Sequence, residues 1–188
     1  MIPATVPTLT TARLVLRPWR DSDLAPFVKL NADPEVMAHF PATLTPAETA
    51  AMMERMKAAL AARGFGWWAA EVPGEVPFIG FIGLSVPSFQ APFTPCVEVG
   101  WRLAREHWGR GYATEGAREA LRFGFGELGL AEIVSLTTTT NERSQAVMRR
   151  LGMTCDPADD FDHPSLPPGH RLRRHVLYRL QGKTWGAV

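Results

Sequence analysis

The 188-residue sequence has few cysteines, almost no net charge and no long apolar run. Its two cysteines, Cys96 and Cys155, do not form a recognisable metal motif, and a chain of this size does not need a disulfide, so we expect free thiols and no metal site. A formal net charge of +1 gives no general attraction to nucleic acid. No apolar stretch approaches the roughly 20 residues of a membrane span, and the first residues do not resemble a secretion signal. We therefore expect a cytoplasmic protein.

The composition favours one globular domain. With 46% hydrophobic residues the chain can bury one sizeable core, and neither a linker nor an internal repeat interrupts it. We therefore expect a single domain over residues 1–188.

A strand followed by a glycine turn and a helix is the most informative pattern. Val97, Val99 and Trp101 alternate with more polar residues at the two-residue period of a strand. After Gly109-Arg110-Gly111, apolar residues recur every three or four positions, which predicts an amphipathic helix that begins near Tyr112.

The glycine turn has the chemistry of an anion site. Without a Cβ, Gly109 and Gly111 allow the backbone to approach a ligand closely, and the unpaired N–H groups and dipole of the helix start favour a phosphate. Many such turns serve packing alone, so the pattern does not decide between a phosphate site and a turn that only packs.

A second strand and helix follow at once. Residues 133–137 read as a strand, Asn141 is placed to cap a helix, and Gly152 ends it. Ser144 lies one turn after Asn141 on the inner face of this helix.

At this point the sequence resembles the GNAT superfamily of acetyl-CoA-dependent N-acetyltransferases, and within it the RimJ/RimL-like branch. The motifs that carry the resemblance are TARLVLRPWRDSDLAPFVKLNADPEVM, the glycine turn, NERSQAVMRRLGM and HVLYRL, which together span nearly the whole chain. The resemblance implies a single-domain α/β fold with a mixed, mostly antiparallel central sheet and helices on both faces. We also expect the order strand, two helices, three strands, helix, strand, helix, strands.

The resemblance also implies how acetyl-CoA binds. In that family the pyrophosphate lies on the glycine turn, the pantetheine arm pairs with the strand before it, and the Asn of the second motif contacts the cofactor. The cofactor-binding residues implied here are Trp101, Leu103, Trp108, Gly109, Arg110, Gly111, Tyr112, Ala113, Thr114, Asn141 and Ser144.

Two positions depart from the family pattern. Trp108 replaces the usual Gln or Arg, which we interpret as a marker of the branch. Met148 stands where many relatives carry a Tyr that reprotonates the CoA thiolate, and a thioether cannot donate a proton.

Proton transfer therefore needs other candidates. Glu98, on the strand before the turn, could accept the proton of the amine, or it could be a solvated carboxylate. Ser144 could donate to the thiolate, or it could fill a tight contact. The proline-rich segment Asp156–Arg174 is predicted to be a long loop that borders the acceptor pocket or lies in solvent, and its His163 and His170 are weaker candidates.

The sequence thus predicts an acetyl-CoA-dependent N-acetyltransferase that acts on a peptide N-terminus or a small amine by direct attack in a ternary complex. An acyl-CoA-binding module without catalysis is the alternative that Met148 suggests. A nucleotide-phosphate binder fits less well, because the turn lacks the Gly-Lys-Ser/Thr ending that holds a metal-bound triphosphate. Of Trp67 and Trp68, which alternate on a strand, we expect one in the core and the other at the acceptor site or in a homodimer contact.

Overall fold

The computed structural model describes residues 6–185, and nine strands in this part of the chain form one sheet. The strands are β1 (Leu9–Thr10), β2 (Val15–Arg17), β3 (Trp67–Val72), β4 (Val76–Ser85), β5 (Glu98–Leu103), β6 (Glu132–Thr138), β7 (Thr154–Cys155), β8 (Phe161–Asp162) and β9 (Arg174–Gln181). Their order is β1-β2-β3-β4-β5-β6-β9-β7, and β8 pairs with β9 beside β7.

Every pairing in the described sheet is antiparallel except the one between β5 and β6. These two strands are joined by a helical crossover, as a parallel pair requires. The mixed, mostly antiparallel sheet that the family resemblance implied is confirmed.

Helices cover both faces of the sheet. They are α1 (Leu24–Ala32), α2 (Pro46–Arg63), α3 (Tyr112–Gly126) and α4 (Glu142–Arg150). Phe81 of β4 packs edge-on against Phe27 of α1, whereas a Cβ added at Gly116 of α3 would meet the adjacent Ile82. Because consecutive strand residues point to opposite faces, α1 and α3 lie on opposite sides of the sheet. No helix within residues 6–185 is both long and apolar enough to cross a membrane.

The ends of α2 follow from its sequence. Thr45 caps the first turn: its Oγ1 accepts from the Glu48 N–H at 3.2 Å, and the Glu48 carboxylate accepts from the Thr45 N–H at 2.8 Å. Pro46 occupies the first helical position, where no N–H is needed. Gly64 ends the helix with a φ of 71°.

Two short strands lie outside the sequence prediction. β1 precedes the predicted first strand, and β8 interrupts the segment Asp156–Arg174, which is therefore not a continuous loop. Both strands are two residues long, so neither contains enough alternation to be recognised.

The structure confirms that one of the two adjacent tryptophans lies in the core. Trp68 is fully buried on the α3 side, against Phe123. Trp67 is only partly buried and points to the α1 side, where its ring contacts Phe81.

Candidate active site

The parallel strands β5 and β6 separate soon after they pair. Their register joins only Glu98 to Val134, with one further bond from the Val134 N–H to the Val97 carbonyl at 2.9 Å. Within the described residues, the rest of β5 has no partner on the β6 side. The result is a wedge-shaped gap in the middle of the sheet.

Both helices that follow these strands begin at the open end of the gap. The carboxyl ends of parallel strands lie at the same edge of a sheet, so the N-termini of α3 and α4 flank the opening. Two helix N-termini at one opening favour an anionic ligand there.

The glycine turn has the conformation that the sequence predicted. Gly109 and Gly111 have φ values of 73° and 82°, in the left-handed region that favours glycine, and α3 begins at Tyr112. The N–H groups of Tyr112, Ala113 and Thr114 are in the first helical turn and have no acceptor within the helix. They form a set of donors for a phosphate.

Trp108 fixes this turn to its surroundings. Its indole N–H donates to the Leu103 carbonyl at 2.8 Å, which ties the turn to the end of β5. The Arg143 guanidinium lies 4.7 Å from the Trp108 ring centroid, which links the turn to the start of α4. The residue that departs from the superfamily signature therefore joins the two strand–helix units.

A groove of about 500 Å³ adjoins the turn between α3 and α4. Its lining residues are Thr11, Gly111, Thr114, Glu115, Arg118, Glu119 and Arg150. Glu115 is paired with Arg13, and Glu119 is paired with Arg122. In the described part of the chain Arg118 and Arg150 have no carboxylate partner, so these two cations are available to an anion in the groove.

Asn141 connects the end of β6 to α4. Its Oδ1 accepts from the Ser144 N–H at 3.2 Å, and its Nδ2 donates to Thr137 Oγ1 at 2.9 Å. The predicted cap is confirmed. The Ser144 side chain is partly buried in the first turn of α4, and its hydroxyl makes no hydrogen bond to another described residue.

Met148 lies in the core, with 1% of its surface exposed. It packs within the hydrophobic cluster between α4 and the sheet. The position where many relatives are expected to carry a tyrosine is therefore filled by an apolar side chain.

Glu98 begins β5 at the narrow end of the gap. Its carboxylate is partly buried, and among residues 6–185 no cation or hydrogen-bond donor contacts it. Desolvation raises the pKa of Glu98 from 4.5 to about 7. A carboxyl with this pKa exchanges its proton near neutral pH, as a general base must.

The α1 side of the sheet is incompletely covered around Glu98, where several residues are only partly buried, and we refer to this region as the cleft. Gly100 lies on the same face of β5, and a Cβ added there would come within 2.8 Å of the Trp67 ring. Leu136, in the middle of β6, is also incompletely buried although it belongs to a central strand. Because the Trp67 ring already covers Gly100, the exposed part of this face lies beside that ring, at Glu98 and Leu136.

Three connections border this cleft. Arg171 donates two hydrogen bonds to the Ala38 carbonyl, at 3.2 and 3.3 Å, and so joins segment 156–174 to the connection between α1 and α2. His39 of that connection contacts Thr138 Oγ1 at 3.1 Å.

The aromatic–histidine cluster joins segment 156–174 to the connection between β4 and β5. Its members are Phe89, Phe93, Phe161, His163 and His175. Burial lowers the pKa of both histidines. Among the described residues His170 makes no ring contact with this cluster, and its Nδ1 accepts from the Leu172 N–H at 3.1 Å.

Sequence reasoning missed the cationic groove and the role of Arg13. Arg13 donates to the Arg110 carbonyl at 3.0 Å and lies over the Tyr112 ring, so it supports the glycine turn from the connection between β1 and β2, about 100 positions earlier in the chain. Arginines at an exposed helix surface are common, and only the fold brings Arg118 and Arg150 to one groove. No local pattern identifies them.

Comparisons with known proteins identify the family. Residues 13–154 match the acetyltransferase (GNAT) domain family. The chain is 37% identical over 186 residues to the FsC-acetyl coenzyme A-N(2)-transacetylase of Aspergillus fumigatus, a match that covers 95% of this chain and 78% of the relative.

Solved structures show the same fold. An acetyltransferase from Agrobacterium tumefaciens strain C58 is 29% identical, with a TM-score of 0.75 and coverage of 94% of this chain and 95% of that one. Mycobacterium smegmatis RimJ, solved in complex with CoA-disulfide, has a TM-score of 0.76 at 20% identity, covering 99% and 92%. At that identity the likeness to RimJ is one of fold. GNAT acetyltransferases use acetyl-CoA, and this chain, as its motifs indicated, belongs to the GNAT acetyltransferase family and is an N-acetyltransferase.

Proposed function

We propose that this N-acetyltransferase binds acetyl-CoA in the gap between β5 and β6 and transfers the acetyl group directly to an amine. The observation that supports this proposal is the gap itself, which has the glycine turn with its free N–H groups at the open end and a desolvated carboxylate, Glu98, at the narrow end. On the β6 side of β5, the Trp101 backbone and the Leu103 N–H are placed to hydrogen-bond an extended cofactor arm, whereas the Leu103 carbonyl already accepts from Trp108.

The phosphates of the cofactor would lie at the two helix N-termini. Backbone N–H groups of residues 109–114 would hold the pyrophosphate, and Asn141 and Ser144 would contact the arm that enters the gap. We assign the nucleotide end to the groove between α3 and α4, because Arg118 and Arg150 there have no carboxylate partner within residues 6–185.

The acceptor would enter from the other side, through the cleft over Glu98 and Gly100. The name of the A. fumigatus relative includes acetyl coenzyme A and a nitrogen position, which supports an amine nitrogen as the acceptor here as well. Trp67 forms the wall of this cleft, and segment 156–174 borders it.

Two side chains would move the protons. Acetyl-CoA supplies the activated acetyl thioester. Glu98 accepts the proton that the acceptor amine loses, directly or through water, and its pKa of about 7 suits that exchange at neutral pH. The Ser144 hydroxyl, which has no other partner in the described structure, donates to the departing thiolate.

A thiol-release assay tests this proposal. The purified protein is incubated with acetyl-CoA and a panel of amino acids, polyamines, aminoglycosides and peptides with free N-termini, and free CoA is measured with a thiol reagent. We expect amine-dependent release with at least one class. Tight acetyl-CoA binding by calorimetry with no release above the amine-free rate would instead support a binding module that has lost catalysis.

We also propose that the chain is a single acetyltransferase domain, because one sheet runs through the described residues from β1 to β9. Limited proteolysis should then yield one protected core. Two fragments that remain folded after separation would contradict this.

A further inference from the structure

Arg102 is a buried cation on the acceptor side of the sheet. It lies on the same face of β5 as Glu98 and Gly100, and only 8% of its surface is exposed. Arginine is rarely buried to this extent unless a carboxylate accompanies it.

No carboxylate accompanies Arg102 within residues 6–185. Its Nη1 donates to Asn31 Oδ1 at 2.7 Å, and its Nε is fully buried without a hydrogen-bond partner. Its Nη2 also has no partner among the described residues. Nε and Nη2 form the edge of a guanidinium that binds a carboxylate with two parallel hydrogen bonds.

Two aromatic rings lie against the guanidinium, and neither offers a hydrogen-bond acceptor to Nε or Nη2. The Phe40 and Phe81 ring centroids lie 4.0 and 5.3 Å from the Arg102 Cζ. Burial lowers the pKa of Arg102 to about 10, so the group remains a cation at pH 7. In such apolar surroundings a charge-assisted hydrogen bond is stronger than in water.

Building on the proposed function, we propose that Arg102 binds a carboxylate of the acceptor, and that the enzyme acetylates amines that also carry a carboxylate. Arg102 lies four residues, about 13 Å along the strand, from Glu98, with Gly100 midway between them, so the acceptor extends along β5 from one side chain toward the other. Phe40 is 37% exposed on the connection between α1 and α2, and we expect a rotation of this ring to admit the carboxylate to the guanidinium.

Matched acceptors test the substrate class without any variant. Each amino acid or ω-amino acid is compared with its carboxamide, which keeps the amine and removes the negative charge. Because hydrogen bonds to charged groups are strong, we expect kcat/KM to be about 100-fold higher for the acid. Equal kcat/KM for acid and amide would overturn the inference and leave the proposed function intact, whereas no release with any amine would refute the proposed function itself.

Variants then test the residue. Arg102→Met should lower kcat/KM for the acid about 100-fold more than kcat/KM for the amide, so that the preference for the acid is lost. Arg102→Lys, which keeps the charge and loses the planar two-donor geometry, should retain part of that preference. Asn31→Ala is the matched control, because it removes the hydrogen bond that Arg102 gives to α1 and leaves the guanidinium in place. Asn31→Ala should preserve the preference for the acid. An equal fall for acid and amide in Arg102→Met would show a structural residue and overturn the inference.

Discussion

Glu98 carries a charge into the middle of the sheet with no partner to offset it in the described structure. A buried carboxylate without a partner lowers the stability of the folded state whenever it is ionised. Residues with such shifted pKa values are common in active sites. Ser144 is a milder case, since its hydroxyl is free although the residue lies in the capped first turn of α4.

For Glu98→Gln we predict a fall in kcat of about 10²–10⁴-fold, because the amide cannot accept the proton of the amine. The wild-type kcat/KM should rise with pH through about 7, as Glu98 loses its proton, and this step should vanish in the variant. Rates over pH 5.5–8.5 measure both. Glu98→Asp serves as the control that retains a base on a shorter side chain.

The same variant should be more stable than the wild type at high pH. Between 4.5 and about 7 the unfolded chain loses the Glu98 proton before the folded chain does, so the free energy of unfolding falls as the pH rises. Above pH 7 the loss is complete, at most about 3 kcal/mol. Urea unfolding at pH 5 and pH 8 checks this. A variant with normal turnover and raised stability would mean that Glu98 is not the base.

For Ser144→Ala we predict a lower kcat with nearly unchanged acetyl-CoA affinity, because the hydroxyl acts only when the thiolate departs. Ser144→Thr, which keeps a hydroxyl, should retain most of the activity. Initial rates and calorimetry measure the two quantities. Normal turnover with a lowered melting temperature would leave Ser144 structural and return attention to His163 of the aromatic–histidine cluster.

At the scale of the elements, the site consists of two strands that part and two helices that begin where they part. The glycine turn and the Asn141 cap each serve their helix and face the same opening. A variant at either position could therefore act by weakening the helix start or by removing a ligand contact. A control variant at another helix end, Gly129 for the turn and Thr45 for the cap, distinguishes the two effects.

For Gly111→Glu we predict loss of CoA binding, because a carboxylate would occupy the place of the phosphate. Gly129→Glu is the matched control: it has a φ of 65° against 82° at Gly111, lies in open space and follows the other end of α3. Both changes strain a left-handed residue, but only the first should abolish binding in calorimetry. Unchanged affinity in folded Gly111→Glu would remove the turn from the cofactor site.

For Asn141→Ala we predict a loss of about 0.5–2 kcal/mol of stability through the cap, together with weaker acetyl-CoA binding. Thr45→Ala removes the cap of α2, far from the gap along the chain, and should cost similar stability without changing affinity. Thermal unfolding and calorimetry on both variants distinguish the two effects. Equal affinities in the two variants would leave Asn141 as a cap alone.

At the scale of the whole molecule, the sequence predicted whatever depends on near neighbours. Three examples are the capping box at Thr45, the helix start at Tyr112 and the Asn141 cap. Each depends on residues no more than four positions apart, so the sequence pattern alone was enough to predict it.

Features that depend on pairing across the sheet could not be predicted in this way. The parting of β5 from β6 and the lack of a carboxylate beside Arg102 among residues 6–185 both depend on segments more than 30 residues apart, and β1 and β8 are too short to show a period. The raised pKa of Glu98 could not be predicted from the sequence either, because it results from burial in the folded protein, and a glutamate on a strand can equally well be solvated.

Binding in the gap should stabilise the molecule as a unit, because the ligand would join the two halves of the sheet where β5 and β6 part. At a concentration 100 times its dissociation constant, a ligand that binds only the folded state adds about 2.7 kcal/mol to the free energy of unfolding. For a chain of this length that corresponds to a rise in melting temperature of about 5–10 °C. Thermal unfolding with and without acetyl-CoA should show this rise in the wild type and in Gly129→Glu but not in Gly111→Glu. A rise of the same size in all three proteins would place the ligand elsewhere on the molecule, since Gly111 lies at the opening between the two strands and Gly129 does not.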